Sequence, residues 1–317
     1  MIFLVGMPRS GTTWVAKGID SNPAVHYLHE PDSVRRLNVP ILITAEDIEQ
    51  YQPVVDEYLS SILEVNDLKV LGRLPFFPKQ HFSAFQLQIN RVSVYASKGL
   101  SRLMPSLRNR PPPLFRPRGD FNVLIKSIES TGRVKLLANS THCSKIVLLA
   151  RHPCAVINSE IRGEANNLFS SRTPIYENWG LFENLLQSSS AREVGLSIDS
   201  LKGMSIAERL AWKWRIFYES MLEDSKLDEC LLVYYERICL APTEEFMRIL
   251  EFLGLELTEA TSQYLSTSTS SHSDGYYSVS KNPEAAMSSW KTQMSENDIT
   301  QVLSITKHLL TEGCWQL

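Results

Sequence analysis

The sequence predicts an α/β fold of three layers, with a central parallel sheet, helices on both faces and a helical insertion. Three observations predict it. Short apolar runs alternate with segments of helical period along most of the chain. The first run ends at a glycine-containing turn that opens directly into a helical segment. With 317 residues, 43% of them hydrophobic, the chain can bury a large core without disulfide or metal staples. Length alone suits about two domains at roughly 150 residues each, yet a single domain over 1–317 accommodates the whole pattern.

Taken in order, Ile2 to Val5 is a short apolar run closed by Gly6, as a buried parallel strand would be. Helical periodicity begins near Thr12, and Val25 to Leu28 is the second strand. Glu46 to Leu63 and His81 to Leu107 are expected to be helices, the second loosely patterned. Val123 to Lys126, Ile146 to Leu149 and Cys230 to Tyr234 are further apolar runs, each followed by a helical segment. Ser266 to Ser280, rich in Ser, Thr, Gly and Tyr, has no clear period and is expected to be a loop, of a length that is often functional.

Charge and cysteine content exclude several classes. A net charge of −3 is not that of a general nucleic-acid binder. The five cysteines are odd in number and form no C-x-x-C, so neither a zinc site nor a disulfide framework is indicated. The opening run is too short for a signal peptide, and no stretch is long enough to span a bilayer, so the expected setting is soluble, reducing and cytoplasmic. The charge is unevenly spread. From Leu68 to Gly119 there are ten cations and no Asp or Glu, while the rest of the chain holds 22 cations and 35 anions. That stretch is either a basic insertion, disordered in part around Pro111 to Pro113, or a docking surface for an acidic partner or anionic substrate.

The segment Gly6-Met7-Pro8-Arg9-Ser10-Gly11-Thr12-Thr13-Trp14 lies between the first strand and the first helix. There, backbone N–H groups and the helix dipole can cradle a phosphate, as in P-loop-like folds. Gly6 and Gly11 have the spacing of G-x-x-x-x-G-K-[ST], but position 12 is Thr, and the cation has moved to Arg9. A nucleoside triphosphatase needs the loop Lys and a strand-end Asp for magnesium. Here Ile146 to Leu149 runs into Arg151, and Glu236 after the last strand is only a weak look-alike. The loop therefore suits a phosphate-bearing ligand without a metal.

Pro8 to Trp14 resembles the 5′-phosphosulfate loop of sulfotransferases that use 3′-phosphoadenosine-5′-phosphosulfate (PAPS). A second motif agrees. Lys145 to Ala150 leads into Arg151, then Pro153 at the first position of a helix that carries Ser159. Arg gives a bidentate grip on phosphate, and Arg151 with Ser159 eight residues on is similar to the family's 3′-phosphate motif. Leu231 to Arg237 and Phe246 to Gly254 resemble the family's late strand, Tyr-Glu turn and helix, and are read as mainly structural. Ser278, Lys281 and the pair Trp290-Lys291 resemble the segment that closes over the nucleotide. The resemblance implies PAPS as donor, no metal, and a cofactor set of Arg9, Ser10, Gly11, Thr12, Thr13, Trp14, Arg151, Ser159, Ser278 and Lys281. Trp14 and Trp212 suit either adenine stacking or the core.

The resemblance also implies sulfuryl transfer to a hydroxyl by in-line displacement, with position and fixed positive charge as the protein's contribution. Arg9 is the candidate for stabilising the leaving 5′-phosphate, and Lys126 is the second cation. Many family members carry a catalytic His two residues after that Lys, whereas this chain continues Ser127, Ile128, Glu129. The base is therefore sought in Tyr27-Leu28-His29-Glu30-Pro31, where carbohydrate-type members have a similar Glu-Pro. Glu30 ranks first, His29 second and Glu129 third. Residues 45–120 are expected to shape the acceptor site, for a sugar, a glycolipid, or a lipid-like or carrier-tethered chain. A non-catalytic nucleotide-binding module and a P-loop kinase remain the alternatives.

Overall fold

The computed structural model describes residues 1–103, 114–166, 173–270, 283–311 and 315. Five strands form the sheet among them: β1 (Ile2–Gly6), β2 (Val25–His29), β3 (Asn122–Ser127), β4 (Lys145–Ala150) and β5 (Cys230–Tyr234). They lie in the order β2-β3-β1-β4-β5, and every pairing is parallel. The register matches Val5 with Ser127 and Leu148, His29 with Lys126, and Ala150 with Tyr234. The carboxyl ends of all five strands thus share one edge, with β1 at the centre, where the connections diverge to either side. A crevice at such a divergence is where open α/β sheets bind ligands.

The helices follow in chain order. After β1 comes α1 (Thr12–Asp20); after β2 come α2 (Ile48–Ser60), α3 (Leu68–Leu71) and α4 (Ala84–Leu103). The helix α5 (Val134–Ala138) follows β3. Between β4 and β5 lie α6 (Pro153–Ala165), α7 (Trp179–Leu185), α8 (Ser189–Glu193), α9 (Ile198–Gly203) and α10 (Ile206–Asp224). Beyond β5 are α11 (Tyr235–Leu240), α12 (Pro242–Phe252), α13 (Glu259–Ser270), α14 (Pro283–Ser288), α15 (Trp290–Gln293) and α16 (Glu296–Thr306).

Successive strand residues face opposite layers, and each face carries its own core. Phe3, Val5, Leu28, Ile125 and Leu148 pack with α2, α5 and α10. Leu4, Val25, Tyr27, Leu124 and Val147 pack with α1, α12 and α13. All of β1 is buried, so its sequence shows a continuous apolar run instead of an alternation. The helix α1 lies so close to α12 that a Cβ at Gly18 would collide with the Phe246 ring. On the other side α6 is clamped to α10 by the Lys213–Glu160 ion pair, 2.5 Å and almost fully buried. That clamp fixes the helix on which Ser159 stands.

Two element assignments change. Residues 259–270 are helical, so the expected loop begins with the last turn of α13, and 271–280 lie outside the described residues. Ser and Thr are poor helix formers, but this helix is held by what it buries. The Tyr264 hydroxyl donates to the Trp14 carbonyl, Ser21 donates to Thr261, and Leu265 is in the core. The second change is the start of α4, which falls at Ala84. The Ser83 hydroxyl accepts from the Gln86 N–H and the Gln86 side chain accepts from the Ser83 N–H, a reciprocal cap that stops the helix from reaching back to His81.

Residues 45–120 are not an appendage. Val55 and Leu59 of α2 are completely buried in the sheet's core. Two cations of the acid-free stretch pair with acids outside it: the buried Lys79 with Asp20 and the half-exposed Lys69 with Glu30. The acids that answer them lie elsewhere in the chain, which accounts for part of the segmental imbalance. No described helix is long and apolar enough to cross a membrane.

Phe246→Ala removes the ring on which α1 rests and is expected to cost roughly 3–5 kcal/mol. Denaturant unfolding checks this, and an unchanged midpoint would exclude the α1–α12 contact from the stabilising core.

Candidate active site

The turn after β1 is built from unusual backbone. Arg9 and Gly11 both adopt positive φ, 69° and 89°. A Cβ at position 11 would strike the Tyr235 ring, so glycine is required there both by conformation and by space. Arg9 pays for its left-handed conformation in strain, a feature that concentrates at functional sites. The Ser10 N–H donates to the Met7 carbonyl at 3.2 Å, while the buried Ser10 Oγ has no hydrogen-bond partner among the described residues. No side chain caps the first N–H groups of α1. The turn therefore presents a helix N-terminus and an unsatisfied hydroxyl at the sheet's carboxyl edge, a ready anion cradle.

Arg151, just after β4, closes this turn from the side. Its Nη1 donates to the Arg9 carbonyl at 2.8 Å, its Nη2 donates to the Ala286 carbonyl of α14 at 2.5 Å, and its guanidinium lies 4.4 Å from the centre of the Tyr235 ring. Arg9 Nε in turn donates to Ser159 Oγ on α6 at 2.9 Å. Arg9, Arg151 and Ser159 therefore form one cluster although 150 residues separate the first from the last. The buried Arg151 Nε has no hydrogen-bond partner among the described residues.

The neighbouring residues hold this cluster in place. The Trp214 indole donates to the Arg151 carbonyl at 3.1 Å, and His152 stacks on Trp290 at 4.6 Å. Glu236 is buried and accepts from the His152 N–H and the Trp315 indole, at 3.1 and 2.8 Å. Its carboxylate thus serves the turn after β4. Burial raises its pKa, against the pull of Arg151.

A second cluster stands at the ends of β2 and β3. Glu30 sits at φ 49° and ψ 53°, and its N–H donates to the Lys126 carbonyl at 2.9 Å. The Lys126 ammonium, fully buried, donates to Glu30 Oε1, and Lys69 lies 3.2 Å from Oε2. Burial alone would raise the Glu30 carboxyl. Lys126, by charge and hydrogen bond and with further help from Lys69, outweighs it and holds the pKa at about 2. His29 is lowered to about 3, by burial first and Lys126 second, so its ring is neutral at pH 7. Its Nδ1 shares a 2.6 Å hydrogen bond with the Tyr27 hydroxyl, and its Nε2 is 3.8 Å from Glu30. Asp32 accepts from Ser127 and Ser130, which ties the turn bearing Glu30 to the end of β3.

The remaining candidates are placed as follows. Thr12 is buried and Thr13 half-buried at the start of α1. The Trp14 indole packs edge-on against Tyr235 and Phe246 and donates to Ser268 Oγ at 2.9 Å, the contacts of a core residue. Trp212 packs against the opposite core and carries Arg215 over its ring. Glu129 is exposed beyond β3, its N–H bonded to Ser127 Oγ. Ser278 and Lys281 lie outside the described residues, but Ala286 brings the following helix onto Arg151. Two site residues carry no individual signal in the sequence. Tyr235 lies in the Leu231 to Arg237 segment read as mainly structural, and Lys69 lies in the acid-free stretch, whose sign is its only signal.

Three comparisons bear on this geometry. The sequence model described as "Sulfotransferase family" matches residues 2–259. Among solved structures, the chain is similar to the sulfotransferase domain from the curacin biosynthetic pathway, at 15% identity and a TM-score of 0.46, covering 98% of both chains. It is similar also to the sulfotransferase domain from the Synechococcus PCC 7002 olefin synthase, at 15% identity and a TM-score of 0.46, covering 98% of this chain and 94% of that one. The mouse sulfotransferase SULT7A1 complexed with PAP shows 13% identity and a TM-score of 0.44, with 99% and 86% covered. No curated protein matches by sequence. The family match spans the strand–turn–helix of Arg9, the turn of Arg151 and the Glu30–Lys126 pair, and on that ground this chain belongs to the sulfotransferase family.

Proposed function

We propose that the protein transfers a sulfuryl group from PAPS to a hydroxyl-bearing acceptor, and that 1–317 acts as one catalytic domain. The observation that carries the donor assignment is the Arg9–Ser159–Arg151 cluster, which joins the two phosphate motifs. PAPS has phosphates at both ends of one ribose, and the residues fit it. Ser10 Oγ and Arg151 Nε are buried polar atoms without partners among the described residues, and α1 begins uncapped. Arg9, Ser10, Gly11, Thr12 and Thr13 would hold the 5′-phosphosulfate, and Arg151 with Ser159 the 3′-phosphate, with Ser278 and Lys281 closing over it. When bound, PAPS supplies a sulfuryl group whose bond to the 5′-phosphate breaks as the acceptor oxygen bonds to sulfur.

The chain's own part is positional and electrostatic. Lys126 brings a desolvated positive charge to the carboxyl edge beside the β1 turn. Glu30 takes the acceptor's proton. At a pKa of about 2 it is a weak base while Lys126 is fully committed to it. Negative charge entering the site draws Lys126 away, and with burial then opposed chiefly by the half-exposed Lys69 the proton affinity of Glu30 rises. The same lysine thus holds Glu30 ionised at rest and releases it when charge develops. His29 remains neutral, held by the Tyr27 hydroxyl with its Nε2 3.8 Å from Glu30. The insertion 45–120 walls the acceptor side, since Lys69 of α3 already touches Glu30.

Three outcomes are expected. In a thermal-shift assay, 3′,5′-adenosine bisphosphate without magnesium stabilises the protein, Arg151→Met abolishes most of that shift, and ATP with magnesium produces none. A response to ATP with magnesium instead would favour a kinase. Glu30→Gln loses turnover by about 10²–10⁴-fold while keeping the shift with the bisphosphate. Full turnover in that variant removes Glu30 from the mechanism, and no turnover of PAPS by the wild type against sugars, glycolipids and lipid-like alcohols would leave a binding module. The third outcome follows from linkage. The Glu30 pKa lies below its ordinary 4.5, so its pairing stabilises fully above that value and is lost as pH falls toward 2. The melting-temperature gap between wild type and Glu30→Gln is expected to be constant near neutrality and to close over that acid range.

A further inference from the structure

Beside the second cluster lies a cavity of about 100 Å³ that the phosphate motifs do not touch. It opens between β2, the end of α1 and the insertion. Its apolar wall comes from Phe76, Phe77, Phe82 and Phe115, with Leu87 and Val94 from the inner side of α4. Its polar wall is dominated by cations: Lys17, Arg73, Lys79 and the exposed Arg116 face two acids, Asp20 and the exposed Glu64. His26 also lines it and is neutral at pH 7, since burial and then His81 lower its pKa to about 3.

Partnerships divide the cations sharply. Lys17 and Lys79 share the one buried carboxylate of Asp20, at 2.6 and 2.7 Å, so a net positive charge is already sunk into the floor. Each ammonium is pushed below its ordinary range, by burial first, and Arg73 stands close enough to lower Lys17 further. Arg73 adds a second unbalanced charge, and its buried Nε has no hydrogen-bond partner among the described residues. Net positive charge in a space walled by phenylalanine rings is costly until an anion enters it. Tyr27 lines the same cavity and holds His29 through its hydroxyl, and His29 Nε2 lies 3.8 Å from Glu30, so two side chains, Tyr27 and His29, stand between the space and the Glu30–Lys126 pair.

We propose that this cavity is the acceptor pocket and that it selects an amphiphilic alcohol, one with an apolar or aromatic body and an anionic group paired by Arg73. This rests on the sulfotransfer reading above and narrows it. A neutral sugar would meet four phenylalanine rings and leave Arg73 unpaired. A neutral lipid would satisfy the rings alone. An acceptor carrying a carboxylate, sulfonate or phosphate satisfies both walls, and the guanidinium fork suits all three anions.

The test separates the anion site from the reaction. Binding of anilinonaphthalene sulfonate and of its neutral counterpart phenylnaphthylamine is followed by fluorescence on the whole protein. The sulfonate is expected to bind about tenfold more tightly, Arg73→Met to erase that preference without weakening the neutral dye, and Arg73→Lys to restore part of it. Val94→Trp, which fills the cavity from α4, is expected to displace both dyes. Retention of the thermal shift with 3′,5′-adenosine bisphosphate certifies that each variant is folded. The proposal is overturned if Arg73→Met keeps the preference, or if Val94→Trp leaves both dyes bound. In the reaction, an ω-hydroxy fatty acid is expected to have a KM about tenfold below that of the diol of equal length, a gap lost in Arg73→Met. Equal KM values for acid and diol would overturn the proposal while leaving sulfotransfer intact. An intact dye preference with no turnover of any alcohol would instead overturn the sulfotransfer reading.

Discussion

The guanidinium of Arg151 is the point on which the arrangement turns. It binds the carbonyl of Arg9, the carbonyl of Ala286 and the face of Tyr235 at once. Three chain segments that are remote in sequence meet on one planar group whose geometry permits little variation. Tyr235 then presses on Gly11 and leaves room for no side chain there. The left-handed backbone at Arg9 persists because the sheet beneath it and the guanidinium beside it over-determine its position.

Around this point the site is a study in buried charge. The Glu30–Lys126 pair, the Lys17–Asp20–Lys79 triad and the Lys213–Glu160 pair are all nearly dry. A buried pair is weak evidence of stability, since desolvation offsets much of the attraction. The three have different surroundings. Lys213 and Glu160 face each other between two helices and act as a clamp. The other two border the sheet edge or a cavity, where a further anion can change how each cation is shared. The first is a fixture of the fold, and the others lie where a bound anion would meet them.

Much of this was legible along the chain. The strands could be read because each is a short run buried on both faces, and parallel pairing follows from the helices between them. The two turns that carry Arg9 and Arg151 could be read because a glycine at positive φ and an arginine at a strand end leave local signatures. The end of α4 nearest Ser83 and the last turn of α13 could not be placed correctly. A reciprocal side-chain cap decides the first, and burial of Tyr264, Leu265 and Thr261 decides the second against weak local propensity.

What the sequence determined by itself was the layered α/β class, the glycine turn between the first strand and the first helix, and the arginine–serine spacing. Each depends on neighbours within about ten residues, where periodicity and backbone conformation act directly. What the tertiary structure alone decided was pairing. That Lys69 and Lys126 converge on Glu30, that Lys79 meets Lys17 at Asp20, and that Arg73 is left facing a cavity are all consequences of register between distant strands and helices. A segment counted as ten like charges shows its sign in the sequence, but only folding sets which of those charges are answered.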